Sequence, residues 1–314
     1  MTNKRYLILY STAYGRNDGA PLFYYNVLKN QLKLDVTHLS PKGDISNFGS
    51  FDYTFWVDYG EDGLPEDHDW KIPANCGKTI YVASDTHLDN GYRLGKALDF
   101  DHVFFNQKRA VDKYKEFLTY PFPILRPGIE NQTVTWLPHA AEPQAYPKLE
   151  IIKKWDVCFV GHVQETANYN DMTRIDALDR LFKEFPNFYY GSRNSAFPGK
   201  NLFEDAAKKF SQSKIVFNIS IKDDLNMRLF ETLMTGSFLL TNRIPILRDL
   251  EDQYNIKEGV HFAAYETYEE MIEKAHYYLE HDEDREAIAN AGYKAAIEAH
   301  TYKHRVETIL KLIG

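Results

Sequence analysis

Cysteine is scarce in this chain of 314 residues, which contains only Cys76 and Cys158. Each lies at or next to an apolar segment, so neither a disulfide framework nor a cysteine-based metal site is expected. No stretch approaches the roughly 18 apolar residues that a membrane-spanning helix requires. The apolar run YLILY near the N-terminus is too short for the core of a signal peptide. These absences predict a soluble protein of the cytoplasm.

Several common catalytic signatures are also missing. The sequence has no Walker A, G-x-S-x-G or H-E-x-x-H pattern, which disfavours P-loop NTPases, α/β-hydrolases and zincins. The loop after the first apolar run carries Gly15 and Gly19 but does not form G-x-G-x-x-G, so a dinucleotide cofactor is disfavoured.

The chain has little excess of positive charge. Its 37 Lys and Arg residues are outnumbered by 45 Asp and Glu residues, giving a net charge of −8. This balance argues against a protein that coats nucleic acid. A few local arginines still suffice to hold a small anionic ligand.

What is present is a regular alternation of short apolar runs with helical segments. Continuous apolar strands separated by helices are typical of parallel sheets covered on both faces. The runs that predict strands are 6–10, 34–39, 51–57, 79–83, 103–105, 134–137, 156–160, 187–190, 214–219, 237–241 and 260–264. The fold class predicted is therefore α/β, with two Rossmann-like, doubly wound domains and a C-terminal helical tail.

A cluster of prolines marks the predicted domain boundary. Pro138, Pro143 and Pro147 interrupt regular structure. We therefore predict an N-terminal domain over 1–145 and a C-terminal domain over 146–300. The final helix, over 301–314, has Val306, Ile309, Leu310 and Ile313 on one face and is expected to pack on the N-terminal domain.

In such domains, ligands bind at the carboxyl ends of the strands, in the cleft between the domains. The segment Lys214–Thr241 is the most informative, because its strand ends in Asn218 and Ser220 and a helix follows. The helix, predicted over Leu225–Thr235 with Asp223 or Asp224 as its cap, carries the candidate ligand contacts Asn226, Arg228 and Glu231.

Two roles follow from these residue types. A helix N-terminus and the Arg228 guanidinium suit a diphosphate, and the Glu231 carboxylate suits the two hydroxyls of a ribose. The alternative is a surface ion pair between Arg228 and Glu231, which are three residues apart.

Further candidates follow other strands of the second half. Gly161 lets the backbone approach a ligand, His162 is placed to bind a phosphate, and Arg193 follows the strand FYYG. Arg174 is expected only to lie on the surface of its helix, without a role in the site.

The catalytic candidates lie in the first half and at the boundary. Asp85 and His87 follow the strand TIYVA, and His139 follows VTWL. A carboxylate or an imidazole at the end of a strand suits a general base, so Asp85 and His87 are candidates for that role. A metal site built from the Asp-x-His pair and a distant His, and a structural role for His139, are the alternatives.

The stretch NMRLFETLMTGSFLLTN resembles the sugar-nucleotide segment of the CgeB-like (spore maturation protein) glycosyltransferases, which have the GT-B fold. The tail YYLEHDEDREAIANAGYKAAIEAHTYKHR and the landmarks SDTHL, FFNQK and WLPHAAE also resemble that family. In the related E-x7-E enzymes the second Glu binds the donor ribose, and it corresponds to Glu231. The first Glu is replaced by Asp223, which puts a sugar-binding role at that position in doubt.

The resemblance implies a glycosyltransferase that uses a nucleotide-diphosphate sugar, without cofactor or metal. The domain over 1–145 is then expected to receive the acceptor and the domain over 146–300 to bind the donor, and the loop with Gly15 and Gly19 is expected to contact the acceptor or the sugar of the donor. If transfer inverts the anomeric centre, Asp85 or His87 is the expected general base; if it retains, these residues position sugar or acceptor. The donor base is open, with uridine diphosphate as one option. The acceptor is open among a polysaccharide, a protein, a lipid-linked precursor and modified nucleic acid, and so are the stereochemistry and the oligomeric state. The alternatives are a nucleotide-sugar epimerase and a catalytically silent sugar-nucleotide-binding protein.

Overall fold

The computed structural model describes residues 4–10, 19–39, 48–58, 72, 74–86, 92–119, 128–161, 163, 172–191, 202–221 and 224–314. The chain divides into two compact units. Unit 1 consists of Met1–Pro138 together with Tyr302–Gly314, and unit 2 consists of His139–Thr301. Each unit is built around its own parallel sheet.

The sheet of unit 1 has six strands in the order β2-β1-β3-β4-β5-β6, all parallel. The strands are β1 (Arg5–Leu9), β2 (Asp35–Leu39), β3 (Tyr53–Asp58), β4 (Lys78–Ala83), β5 (His102–Phe105) and β6 (Thr133–Trp136). The central strand β3 is buried along its whole length, as expected for a sheet covered on both faces. The strands predicted from the apolar runs are confirmed here.

The helices of unit 1 are short. They are α1 (Ala20–Asn26), which continues into a π-helical turn over Val27–Gln31, α2 (Tyr92–Ala97), α3 (Lys108–Phe117) and α10 (Tyr302–Ile313). In α10, the side chains of Val306, Ile309 and Ile313 are buried. The Tyr302 ring lies 5.0 Å from the ring of Phe23 on α1.

The sheet of unit 2 has five parallel strands in the order β11-β10-β9-β7-β8. They are β7 (Trp155–Val160), β8 (Phe188–Gly191), β9 (Ser213–Asn218), β10 (Phe238–Asn242) and β11 (Ala263–Tyr265). The helices are α4 (Arg174–Glu184), α5 (Leu202–Ser211), α6 (Arg228–Met234), α7 (Ile246–Tyr254), α8 (Tyr268–Glu280) and α9 (Asp282–Ala299). The order of the strands places β9 and β10 side by side, with β7 next to β9.

Helix α6 begins later than the sequence predicts. The prediction of a helix from Leu225 with an Asp224 cap is wrong, because the N-cap is Met227 and no side chain caps it. Asn226 is instead tied to the end of β9 through its amide, which donates to Asn218 Oδ1 at 3.1 Å. The helix ends before Gly236, whose φ of +67° is the left-handed geometry that favours glycine.

The described part of the chain contains no helix long and apolar enough to cross a membrane.

Helix α9 packs closely on α6 at a glycine, and this contact yields a prediction about stability. A Cβ atom on Gly292 would lie 2.6 Å from His261 O and 2.7 Å from Leu233 Cδ2. Because the backbone at His261 cannot shift without a cost in free energy, we expect Gly292→Ala to lower the free energy of unfolding by about 1–3 kcal/mol. The matched control is Gly95→Ala in α2, where a Cβ would meet nothing within 4 Å; it should raise stability by about 0.4–1 kcal/mol. Urea unfolding followed by circular dichroism measures both, and equal effects would contradict the packing.

Candidate functional site

The carboxyl ends of β9 and β10 carry a network of polar side chains. Asn218, the last residue of β9, donates from Nδ2 to Thr241 Oγ1 at 2.9 Å. Asn218 Oδ1 in turn accepts the amide of Asn226. Both Asn218 and Thr241 are almost fully buried. The strand ends are therefore joined by side chains at the edge where ligands bind in this class of sheet.

Asn242 extends this network and was not singled out by the sequence. Its Oδ1 accepts the backbone N–H of Ser220 at 2.7 Å, and both residues are 2% exposed. The Tyr265 hydroxyl donates to Asn218 O at 3.0 Å. Burial raises the pKa of Tyr265 well above its usual value, so this hydroxyl stays protonated and remains a hydrogen-bond donor.

Arg228, the first residue of α6, reaches this edge over an aromatic surface. Its guanidinium carbon lies 4.8 Å from the centre of the buried Phe210 ring on α5. Its Nε lies 3.3 Å from Glu231 Oε2, and its side chain is 18% exposed. Phe210 thus covers one face of the guanidinium and Glu231 contacts one of its edges, while part of the Arg228 side chain faces solvent.

Glu231 is a buried carboxylate one turn further along α6. It is 5% exposed, and its Oε1 accepts the hydroxyl of Tyr146 at 2.6 Å. The ion pair with Arg228 that the sequence offered as an alternative is present, but it is not a surface pair. A pair this buried needs further hydrogen bonds to offset the loss of hydration, and Tyr146 supplies one.

The expectation that Arg174 lies on the surface of its helix is wrong. It is the first residue of α4 and is only 9% exposed. Its Nε and Nη2 donate to Ile219 O at 3.1 and 2.9 Å, so it supports the chain just after β9. Burial first, and then the charge of Arg228, lower the pKa of Arg174 to about 10. No local pattern indicates this contact, because α4 and β9 are distant in the chain.

Besides Arg228 Nε, which has only its ion pair with Glu231, three buried polar atoms of the cluster make no hydrogen bond with the described residues. They are Asn226 Oδ1, Arg228 Nη1 and Asn242 Nδ2. An unsatisfied buried polar atom costs about 1–3 kcal/mol, and folded proteins contain few of them. One hydrogen-bond acceptor and two donors, one of them cationic, suit a ligand that bears hydroxyls and negative oxygens.

Other predicted residues of the second half are placed only in part. Gly161 follows β7, and its N–H bonds Gly191 O at the end of β8. A Cβ atom on Gly161 would lie 3.0 Å from Phe159 Cζ, so the position is tight on its own strand. His162, Arg193 and Asp223 lie outside the described residues.

The loop after β4 in unit 1 holds Asp85 in an uncommon backbone conformation, with φ of +52°. Its two neighbours are anchored to the loop after β5. Ser84 Oγ donates to Asn106 Oδ1 at 2.5 Å, and Thr86 Oγ1 donates to Gln107 Oε1 at 3.1 Å. This geometry defines the backbone at Asp85 and is compatible with a functional residue, since strained residues cluster at active sites.

Two of the four remaining candidates lie within the described residues. His87 and Gly15 lie outside the described residues. Gly19 is the N-cap of α1, with φ of +122°. His139 is the first residue of unit 2 and is 4% exposed. Among the residues that the structure describes, no three His, Cys, Asp or Glu side chains are grouped so as to hold a metal ion.

Comparisons with known proteins relate this geometry to a family. Residues 174–311 match the family model described as "Glycosyl transferase-like". HepE from Anabaena, solved with UDP and glucose, is 10% identical, with a TM-score of 0.63 over 99% of this chain and 99% of that chain. Sucrose-phosphate synthase from Thermosynechococcus elongatus is 7% identical, with a TM-score of 0.61 over 99% and 98% of the two chains. A glycosyltransferase from Rickettsia africae is 10% identical, with a TM-score of 0.60 over 99% and 98%. No curated protein sequence matches the chain.

The structural matches confirm the predicted α/β fold class and identify it as the GT-B fold. Because the sequence identities are only 7–10%, these matches show the fold alone. The family match spans α4 to α10 and includes Arg174, Arg228 and Glu231. The chain therefore carries a glycosyltransferase family domain, and its enzyme class is that of the glycosyltransferases.

The hydrogen bond from Ser220 to Asn242 generates a prediction about stability. Asn242→Ala removes the acceptor of a buried N–H, which should lower the free energy of unfolding by about 1–3 kcal/mol. Asn290→Ala is the control, because its amide only accepts from the exposed Lys148 Nζ, and it should change stability by less than about 0.5 kcal/mol. Urea titration of both variants tests the difference. Equal midpoints for Asn242→Ala and wild type would contradict the role of this bond.

Proposed function

We propose that the protein transfers a sugar from a nucleotide-diphosphate sugar and that unit 2 binds the donor at the ends of β9 and β10. The observation that carries this proposal is the pair formed by Glu231 and Arg228: a buried carboxylate beside a guanidinium whose buried Nη1 has no hydrogen-bond partner among the described residues. Both residues lie in the glycosyltransferase family domain. The pair offers one group for hydroxyls and one for phosphate oxygens.

Arg228 is proposed to bind the diphosphate. The Nη1 group has N–H donors to spare, and the Phe210 ring keeps the guanidinium plane in place. A guanidinium binds phosphate oxygens through charge-assisted hydrogen bonds, in two parallel contacts where the geometry permits. Arg174 adds positive potential nearby, since the charge of Arg228 already lowers its pKa.

Glu231 is proposed to bind the ribose. Among the described residues, each of its carboxylate oxygens has one partner, Tyr146 on Oε1 and Arg228 on Oε2. A carboxylate has about four acceptor positions, so capacity remains for the two hydroxyls of a ribose.

The sugar of the donor is proposed to lie on the opposite side of Arg228 from the ribose. Asn226 precedes Arg228 in the chain, and Asn218, Ser220 and Asn242 adjoin it through the network at the strand ends. A sugar hydroxyl both donates and accepts, so it satisfies Asn226 Oδ1 as well as Asn242 Nδ2. Gly161, His162 and Arg193 stay predictions as further donor contacts.

In this proposal the negative charge that develops on the leaving diphosphate is stabilised by Arg228, without a metal ion. A fixed positive group that faces the developing charge is an effective source of rate enhancement. Asp85 and His87 are proposed as general base candidates for an inverting reaction, or with His139 as positioning groups for a retaining one. Gly15 and Gly19 stay predictions as contacts to the acceptor or the donor sugar.

We further propose that the protein is CgeB-like and that its donor carries uridine diphosphate. The CgeB-like assignment rests on the sequence resemblance around Arg228 and Glu231. The uridine assignment is supported by HepE, which was solved with UDP, and with UDP-glucose in another crystal structure. The acceptor stays open among the classes named from the sequence, and location in the cytoplasm stays a prediction.

Glu231→Gln tests the ribose contact. The amide keeps the shape of the side chain and a partner for Tyr146 but loses one acceptor oxygen and the charge. We expect the affinity for UDP to fall about tenfold or more, because hydrogen bonds to charged groups are worth about 1.5–3 kcal/mol. The affinity for 2′,3′-dideoxy-UDP should change less than about twofold.

Isothermal titration calorimetry measures both ligands, with the exposed Glu298→Gln as the control variant. Equal losses for the two ligands, or no loss for either, would leave Glu231 a structural residue. Wild-type protein that binds neither UDP nor UDP-sugars would overturn the uridine assignment, and wild-type protein that binds no nucleoside diphosphate or nucleotide sugar at all would overturn the proposed function itself.

Arg228→Ala tests the diphosphate contact. Loss of the guanidinium should weaken UDP binding by about 10- to 100-fold, from the same range for charge-assisted bonds, and should leave the weak binding of uridine nearly unchanged. The control is Arg248→Ala on the exposed face of α7. Competition calorimetry with UDP and uridine separates the contributions, and a UDP affinity equal to that of wild type would remove Arg228 from the site.

A further inference from the structure

The partner of Glu231 comes from a segment remote in sequence. Tyr146 lies 85 residues before Glu231, outside the strand–helix–strand segment that carries the predicted donor contacts. Tyr146 is 2% exposed and Glu231 is 5% exposed. Their bond of 2.6 Å is within the short range typical of an O–H group donating to a carboxylate.

The backbone around Tyr146 is anchored on both sides. Before it, Glu142 O accepts the N–H groups of Ala145 and Tyr146 at 3.0 and 2.9 Å, which closes a tight turn. Ala141 N bonds His300 O at 3.2 Å, so the start of this segment is fixed to the end of α9.

After the turn, Lys148 Nζ reaches Asn290 Oδ1 on α9 at 3.1 Å. The methylenes of Lys148 cover Gly236, where an added Cβ would lie 2.8 Å from Lys148 Cδ. The tyrosine hydroxyl is therefore presented from a fixed frame and does not depend on a mobile loop.

The two contacts on Glu231 fix its carboxylate in both rotation and position. Oε1 is held by Tyr146 and Oε2 lies against Arg228, so the plane of the carboxylate is defined by two partners on different elements. A glutamate side chain otherwise has several rotatable bonds, whose restriction costs free energy when a ligand binds. A carboxylate held in advance binds a pair of hydroxyls without that cost.

We propose that Tyr146 is a positioning residue for the donor: its hydroxyl holds the Glu231 carboxylate in the orientation that receives the ribose. This inference rests on the proposed function, because it assigns Glu231 to the ribose. Tyr146 itself is not required to touch the nucleotide. Its effect on binding therefore passes through Glu231, and this makes it separable from a role in packing alone.

Tyr146→Phe in the full chain is the test, because it removes one hydroxyl and keeps the ring. We expect the affinity for UDP, measured by calorimetry, to fall about tenfold, and the affinity for 2′,3′-dideoxy-UDP to change less than about twofold. Tyr81→Phe is the matched control, since Tyr81 donates to the buried Asp58 at the same distance of 2.6 Å in unit 1. It should match wild type in the affinity for both ligands.

The double variant Tyr146→Phe/Glu231→Gln completes the test. If Tyr146 acts through Glu231, the double variant binds UDP as weakly as Glu231→Gln alone, because the two losses are not additive. Additive losses, or an equal loss for UDP and the dideoxy ligand, would overturn the positioning role. If Glu231→Gln discriminates between the two ligands while Tyr146→Phe does not, the inference fails and the proposed function stands. If the wild-type protein binds neither UDP nor any other nucleoside diphosphate or nucleotide sugar, the proposed function fails with it.

Discussion

A buried carboxylate has to be paired, and this constraint shapes the candidate site around Glu231. The loss of hydration of an ion inside a protein costs several kcal/mol unless charge and hydrogen bonds offset it. Here the offset comes from Arg228 on the same helix and from Tyr146 on a distant segment. Phe210 in turn supports the guanidinium. Helix α6, the turn before Tyr146 and helix α5 must therefore be in place together for the carboxylate to be tolerated.

The polar network at the ends of β9 and β10 leaves some of its groups without a hydrogen-bond partner among the described residues. Asn218, Thr241, Asn242 and the N–H of Ser220 satisfy one another, while Asn226 Oδ1, Asn242 Nδ2 and Arg228 Nη1 have no partner among the described residues. Natural sequences depart from full satisfaction of polar groups mainly at functional sites, where stability is given up for binding. The parallel sheet beneath keeps these groups in place, so they stay ordered although they lack hydrogen-bond partners.

The sequence predicts the fold well because strand burial is a local signal. The run DVCFV is apolar over its whole length, as a strand covered on both faces must be, and it forms β7. The start of α6 is predicted wrongly because Asn226 is held by Asn218 at the end of β9, a tertiary contact that overrides the local helical pattern.

The chemistry of Arg228 and Glu231 was accessible from spacing, since both lie on one helix. Tyr146, Asn242 and Arg174 were not, because each acts on a residue from another element of the sheet or its flanks. An arginine at a helix start is usually exposed, and no local pattern indicates that Arg174 folds inward onto the carbonyl of Ile219. Such contacts arise only when distant segments meet.

The central claim is that Glu231 and Arg228 receive the ribose and the diphosphate of the donor. A crystal structure of the protein grown with UDP tests it most directly. The account predicts both ribose hydroxyls within about 2.6–3.2 Å of the Glu231 carboxylate oxygens, the diphosphate on the guanidinium of Arg228, and Tyr146 still bonded to Glu231. A nucleotide bound elsewhere, with Glu231 in contact only with Tyr146 and Arg228, would contradict it.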